Sequence, residues 1–303
     1  MLIEMVQKDY LAEKRFEGLT ERSIKSYVDL FKIWNEWLAQ QGIERIEELN
    51  PRTTKQFLLW CQEERGNKPK TINSKLKLLR ALAKWMVEEG LIEEPFTKNI
   101  KLQREDDAPK ILSEKDLQDV LRYLRRVKRR EDSFTARRNY TLILFLAGTG
   151  LRLSEVQKLT WKDVNFDDSL IMIRTSKSRK AQSVPLSDVL RAELLDYQDY
   201  LKRKLPSVPD ALFVTRQGEP LKKDSIQNIF KRIRARLGLE GYFSPHTLRN
   251  FYIKQLLKGG ANIREVQLLA RHSKLEVTKQ YIGYFSHELK ECLDENNPLR
   301  GLL

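Results

Sequence analysis

RHSKLEVTKQYIGY, residues 271–284, sets one histidine and two tyrosines close together in a chain that holds only three histidines and ten tyrosines. A helix turns by about 100° per residue, so Tyr281 and Tyr284 lie about 60° apart on it, and helix face does not choose between them. Either phenol is a candidate nucleophile, and both have an ordinary reading as packing aromatics near the end of a small domain. What surrounds them has to decide.

Working outward, the 303 residues carry 56 Lys plus Arg against 42 Asp plus Glu, a formal net charge of +14. Such an excess favours a polyanionic partner through counterion release and steering, nucleic acid first and an anionic membrane surface second. The length exceeds the roughly 100–200 residues of one domain, so two are expected, each able to bury a core. The opening MLIEMVQKDYLAEKRF has no apolar run suited to a signal peptide. No segment approaches the roughly 20 apolar residues of a membrane span. A soluble, cytoplasmic protein with no membrane partner follows as the expectation. Cys61 and Cys292 stand alone, without metal-site or CxxC spacing, and read as ordinary thiols of a reducing compartment. No metal cluster and no cofactor motif is visible.

Residues 20–40 place Ile24, Tyr27, Phe31, Trp34 and Leu38 at helical spacing behind a Thr20 cap. Asn50 and Pro51 open a second helix. A third follows Thr71, with Ile72, Leu76, Leu79, Ala83 and Met86 on one face. Lys75, Lys77, Arg80 and Lys84 share that helix, as a basic face for phosphates or simply as a solvated surface. Residues 1–103 read as a helical bundle, 104–112 as a polar interdomain linker around Pro109, and 113–303 as a second domain whose first helix is capped near Ser113. In that domain NYTLILFLAG is a buried helix stopping at GTG, and Ser154 is placed to cap the helix after it. SLIMIRTSKSRKAQSVPL, residues 169–186, reads as a short hairpin around a polar turn. The fold class is mainly α: a helical bundle plus an α+β domain that is mostly helical, with a small antiparallel sheet or hairpin.

Four further features carry chemistry: GTGLRLSE with Arg152 and Glu155, RTSKSRK with Lys177, SPHTLRN with His246 and Arg249, and the opening segment with His272 and Tyr281. Each alone has a bland explanation; GTG before a helix is a turn and a loop lysine is solvated. Their order is not bland. Arg, Lys, His-x-x-Arg, His and Tyr resemble the tyrosine recombinase (phage integrase) family over nearly the whole chain, in its two-domain Xer-like or transposon/phage integrase form. Gly150, Leu151, Arg152, Ser154 and Glu155 match the family's G-x-R turn and S-E; Lys177 lies eight residues before Pro185; His246 and Arg249 match H-x-L-R; His272 precedes Tyr281 by the family's nine residues. The first domain resembles the family's SAM-like core-binding domain.

The resemblance implies strand cleavage and rejoining through a 3′-phosphotyrosine, with Arg152, Lys177, His246, Arg249, His272 and Tyr281 as the catalytic set and Tyr281 as nucleophile. Residue chemistry agrees. Guanidinium forks meet the non-bridging oxygens of a phosphodiester and stay protonated, which suits Arg152 and Arg249. His246, three residues before Arg249, shares its helix face. His272 brings a second donor from another segment. A lysine among other cations has a lowered pKa and can protonate the leaving 5′ oxygen, the role given to Lys177; Arg179 and Lys180 are read as holding backbone. Glu155 is either an orienting partner for an arginine or histidine or a helix-start carboxylate favoured by the dipole. A phosphotyrosine ester stores the bond for another strand's hydroxyl, so the scheme asks for no cofactor. By register Tyr281 is the nucleophile, and Tyr284 and Phe285 anchor its helix.

The chain departs from the family pattern at Ala270, Arg271 and His272 (usually L-G-H), at Ser176, Lys177 and Ser178 (usually G-K-G), at Asn250 (often histidine) and at Gln182 (often arginine). No catalytic group is lost, but the turns near Lys177 and His272 need not keep the family's shape, and the chromosome-dimer subgroup is not indicated. The implied partners are duplex DNA with paired inverted core sites, a homotetramer in the synaptic complex, and accessory or directionality proteins. Leu289, Leu293, Leu299, Leu302 and Leu303 mark a tail that either folds back or, as the resemblance implies, passes to a neighbouring protomer. The resemblance leads us to expect a chain that begins almost directly with the core-binding domain, without an arm-site domain. Two rival readings are a type IB topoisomerase and a non-catalytic sequence-specific DNA-binding regulator on the same scaffold.

Overall fold

The computed structural model describes residues 1–105, 110–174, 182–272 and 274–281. It divides into two compact units, Met1–Asp106 and Asp107–Leu303. The stretch read as a linker is fastened at both ends. The side-chain amide of Asn73 donates to the Gln103 carbonyl (2.8 Å) and to Glu105 (2.6 Å) in the first unit; in the second, Asn250 donates to the Lys110 carbonyl (2.9 Å) and Leu112 is buried.

The first unit is built from α1 (Ile3–Phe16), α2 (Glu21–Gln40), α3 (Pro51–Glu63) and α4 (Pro69–Glu88). Local chemistry sets the starts. Thr20 Oγ1 accepts the Ser23 amide, and Asn50 Oδ1 accepts those of Arg52 and Thr53 just ahead of Pro51, whose missing N–H is no loss in a first turn. The apolar stripes of α2, α3 and α4 then close around Trp34, Phe57 and Leu79. On α4 the buried stripe is Ile72, Leu76, Leu79, Ala83 and Met86, as its spacing predicts. The four cations of α4 do not form one face. Lys77, Arg80 and Lys84 fall within about 60° of one another, while Lys75 lies on the other flank of the buried stripe. Arg80 donates to the Ile100 carbonyl, and Lys84 pairs with Glu88 at 3.3 Å.

The second unit runs α5 (Glu114–Glu131), α6 (Phe134–Thr149), α7 (Leu153–Val156), β1 (Val164–Asn165), β2 (Leu170–Ile173), β3 (Gln182–Pro185), α8 (Asp188–Lys204), α9 (Lys223–Leu237), α10 (Pro245–Lys258), α11 (Ile263–Ala270) and α12 (Glu276–Lys279). Ser113 caps α5 through the Asp116 amide at 3.0 Å. The expected hairpin is β2 against β3, antiparallel, with Ile171 opposite Val184; β1 adds a two-residue third strand on the far side of β2. Lys177, Arg179 and Lys180, which follow β2 and precede β3 in sequence, lie outside the described residues, as do Tyr284, Phe285, Cys292 and the leucines of the C-terminal segment. α6 is buried and packs against α5, α8 and α10. It ends where Gly150 enters the left-handed region (φ +57°), and a β-carbon there would collide with the ring of Tyr252. Only glycine satisfies both demands.

Ser154 does not cap the next helix. α7 is a single turn whose N-cap is Arg152, and the carboxylate of Glu155 reaches back to the Arg152 amide at 2.7 Å. A glutamate at the third helical position satisfies that orphan donor without a capping hydroxyl.

Candidate functional site

Four segments of the second unit converge: the turn after α6 with α7, the first turns of α10, the end of α11, and α12 with Tyr281. Arg152 leaves its turn 44% exposed; its Nη1 donates to Glu155 Oε1 (2.9 Å) and its Nη2 to the Arg271 carbonyl (3.0 Å). Arg249, on the buried side of α10, sends Nη1 to the Gly150 carbonyl (2.6 Å) and Nη2 to the Ala270 carbonyl. The two guanidiniums therefore grip adjacent carbonyls at the end of α11. His246 lies one helical turn ahead of Arg249 and is exposed.

His272 follows the α11 C-cap. Its amide donates to Gln267 O, its carbonyl accepts from Gln267 Nε2 (3.0 Å each), and its Nδ1 lies 2.9 Å from the Thr278 hydroxyl. Tyr281 is 5% exposed and packs with Ile253, Val266 and Ala270. Its hydroxyl donates to Asn250 Oδ1 at 2.8 Å; the Asn250 amide nitrogen is already committed to Lys110, which fixes the oxygen toward the phenol.

Arg271 belongs to the cluster as well. Its backbone is left-handed (φ 53°, ψ 48°), which accounts for the family's glycine at this position. Its Nη2 meets Glu155 Oε2 at 2.8 Å, with both side chains buried. Of these partners, Asn250 and Arg271 stood out in the sequence only as departures from a pattern. Thr278 and Gln267 had no signal there, because each is a polar residue of a helix whose role comes from what packs against it.

The electrostatics follow from three guanidiniums around one carboxylate. Burial pushes the Arg249 guanidinium down to about 10, helped by Arg152 and Arg271, so it remains charged at neutral pH. Burial works against charge on Glu155, but Arg271 and then Arg152 more than reverse it and hold the carboxyl below its usual range. Burial also lowers His272 to about 4, with Arg249, Arg152 and Arg271 adding to it. At neutral pH its ring is uncharged and donates from one nitrogen only. An unfolded chain takes up this proton near 6.5 and the folded one near 4, so between those values the unfolded state binds more protons and stability falls on acidification. The His272 ring resonances are expected to titrate with a midpoint near 4 while the melting temperature drops across the same window; a midpoint at the ordinary 6.5 would show the ring clear of the arginines.

Among the described residues no three metal-ligating side chains come together, and no helix is long and apolar enough to cross a membrane. Cys61 is buried, and burial raises its thiol pKa.

Comparison with known proteins agrees with this architecture. Residues 110–287 match the phage integrase family, and residues 8–90 match the phage integrase N-terminal SAM-like domain. The chain is 30% identical over 288 residues to tyrosine recombinase XerC of Bacillus subtilis, covering 91% of this chain and 89% of that one. It is 28% identical over 301 residues to tyrosine recombinase XerA of Pyrococcus furiosus, covering 98% and 96%. Among solved structures, the Tn1549 transposon integrase in complex with a circular intermediate DNA superposes with a TM-score of 0.76 at 21% identity, over 91% of this chain and 94% of that one. XerH recombinase bound to a palindromic difH substrate gives 0.73 at 20%, over 89% and 78%. The helical bundle, the small sheet and the converging arginines thus have a common explanation: the chain belongs to the phage integrase family, with the tyrosine recombinases.

Proposed function

We propose that this protein is a site-specific DNA recombinase that cleaves and rejoins strands through a 3′-phosphotyrosine. The observation that carries the reading is the convergence of Arg152, Arg249, Arg271, His272 and Tyr281 in one cluster, with Arg152 and Arg271 both bonded to the Glu155 carboxylate and the Tyr281 hydroxyl held by Asn250. Buried Arg249 and Arg271 and half-exposed Arg152, set against the one carboxylate of this cluster among the described residues, make a site that an anion would complete, and a phosphodiester fits it.

In the proposed reaction the Tyr281 oxygen attacks phosphorus, the bond to the 5′ oxygen breaks, and the phenolic proton passes to solvent. Arg152 and Arg249 hold the non-bridging oxygens with the donors they do not spend on carbonyls. His246 and His272 add further donors, His272 as a neutral ring. If the Thr278 hydroxyl donates to Nδ1, the His272 proton sits on Nε2. Lys177 protonates the 5′ oxygen. Attack by the 5′-hydroxyl of another strand then reverses the sequence and releases Tyr281. Glu155 orients rather than reacts. Before any of this the phenol must give up Asn250.

The same reading makes duplex DNA with paired inverted core sites the substrate. Lys77, Arg80 and Lys84, with Lys75 from the other flank of α4 and Arg179 and Lys180 on the hairpin turn, serve as backbone contacts. A tetramer forms on DNA with the tail passed between protomers, accessory or directionality proteins assist, and the setting is cytoplasmic. The domain roles are core binding for 1–103, a linker at 104–112 and catalysis for 113–303.

The test is to incubate the protein with DNA flanking its own coding sequence, nicked so that the short 5′-hydroxyl fragment diffuses away. A covalent protein–DNA adduct that survives denaturant and disappears with protease is the expected result. No adduct, with DNA still bound, would mean a non-catalytic regulator; relaxation of any supercoiled plasmid without paired sites would mean a topoisomerase.

A further inference from the structure

We propose that Arg271 is a positioning residue of the strand-cleavage site, holding Arg152 in place through Glu155 and through its own carbonyl. The assignment rests on the recombinase reading above.

Arg271 occupies a left-handed position that glycine enters freely and other residues enter at a cost. An arginine that merely tolerated this place would extend into solvent, as charged side chains ordinarily do. Here the side chain turns inward until it is 2% exposed, against a Glu155 side chain that is 8% exposed. Its Nη1 closes onto the Leu269 carbonyl at 3.1 Å, and its Nε is buried without a hydrogen-bond partner. A conformation that accepts both backbone strain and an unsatisfied donor is held by something else, and the contact it secures is Glu155.

The connectivity shows what that contact does. Glu155 Oε2 receives both the Arg271 Nη2 and the Arg152 backbone amide, while Oε1 receives the Arg152 Nη1. The other end of the same guanidinium, Nη2, rests on the Arg271 carbonyl. Both ends of the Arg152 fork therefore depend on Arg271, one through its side chain and one through its backbone. The neighbouring Ala270 carbonyl takes Arg249, so the same two-residue turn registers both proposed phosphate clamps. Arg271 also keeps Glu155 ionised: the charged groups acting on that carboxylate are Arg271 from the end of α11 and Arg152 from its own turn, with Arg249 from α10 and His272 in the same cluster.

The experiment compares the wild-type chain with Arg271→Gly, which relieves the backbone strain and so favours folding at that turn, and Arg271→Lys, which keeps charge without the fork. Single-turnover adduct formation on nicked DNA and DNA affinity are measured across pH. Arg271→Gly is expected to cleave about 100-fold more slowly, the size of effect a small displacement of a reacting group produces. DNA affinity should change less than about threefold, because Arg152 and Arg249 keep their charge. With one cation gone, the Glu155 pKa rises, so the acid limb of the pH–rate profile moves to higher pH. Arg271→Lys should recover part of the rate and restore the limb. Pairing Arg271→Gly with Glu155→Gln should slow cleavage little beyond the worse single change, since both act through one contact. An Arg271→Gly chain that cleaves at the wild-type rate, or loses rate with an unmoved pH profile, overturns the assignment alone. A wild-type chain that forms no adduct overturns the recombinase reading and this assignment with it.

Discussion

Tyr281→Phe is expected to abolish the covalent DNA adduct while leaving a folded, DNA-binding protein. The attacking oxygen is removed outright, so cleavage falls to background rather than by a finite factor. The fold changes little. The ring that packs with Ile253, Val266 and Ala270 is kept, and the hydrogen bond to Asn250 is lost. Leaving that buried acceptor without a donor costs about 1–3 kcal/mol, or several degrees of melting temperature in a unit of this size. A denaturing gel with nicked DNA reads the adduct, and thermal unfolding followed by circular dichroism reads the fold. Tyr284→Phe is the matched control and should retain the adduct. Were the adduct to persist in Tyr281→Phe and vanish in Tyr284→Phe, the nine-residue register from His272 would have named the wrong phenol.

Arg249 should be the costliest of the arginines to replace, because it serves the fold and the proposed chemistry at once. It is 5% exposed and ties the turn after α6 to the end of α11 through the carbonyls of Gly150 and Ala270. Removing a charged donor from two buried carbonyls costs about 3 kcal/mol or more. Losing a preorganised cation at the phosphate slows a chemical step by about 10²–10³-fold. Arg249→Ala is therefore expected to show both losses in urea unfolding and in single-turnover cleavage. Arg249→Lys separates them: an ammonium keeps the charge but cannot span two carbonyls, so about half of the stability should return while cleavage stays well below wild type. Equal rates for Arg249→Lys and wild type would remove the fork from the mechanism.

Much of this architecture is local in origin. Thr20, Asn50 with Pro51, and Ser113 announce helix starts because capping is a contact between residues two or three apart. The stripes of α2 and α4 announce their buried faces because a helix repeats every 3.6 residues. Gly150 marks the end of α6 by the same logic, since glycine enters a left-handed turn without the cost that other residues bear. The β2–β3 hairpin is legible from β-branched runs around a polar turn. Two residues are too few to carry a period, so β1 left no trace in the sequence. Ser154 looked like a cap because serine is a good one, but the chain places the helix start at Arg152 and lets Glu155 supply the acceptor.

The site divides along the same line. The order and spacing of Arg152, Lys177, His246, Arg249, His272 and Tyr281 are properties of the sequence, and they suffice to place the chain in its family. What those residues touch is not. Glu155 and Arg271 are 116 positions apart, Arg152 and the Arg271 carbonyl 119, Tyr281 and Asn250 31, and no local pattern connects them. Spacing along the chain therefore nominated the candidate residues of the site. Only tertiary packing decided that Glu155 serves two arginines, that Asn250 holds the phenol and that Arg271 turns inward, because a hydrogen bond depends on distance in space and sequence period reports distance along a single element.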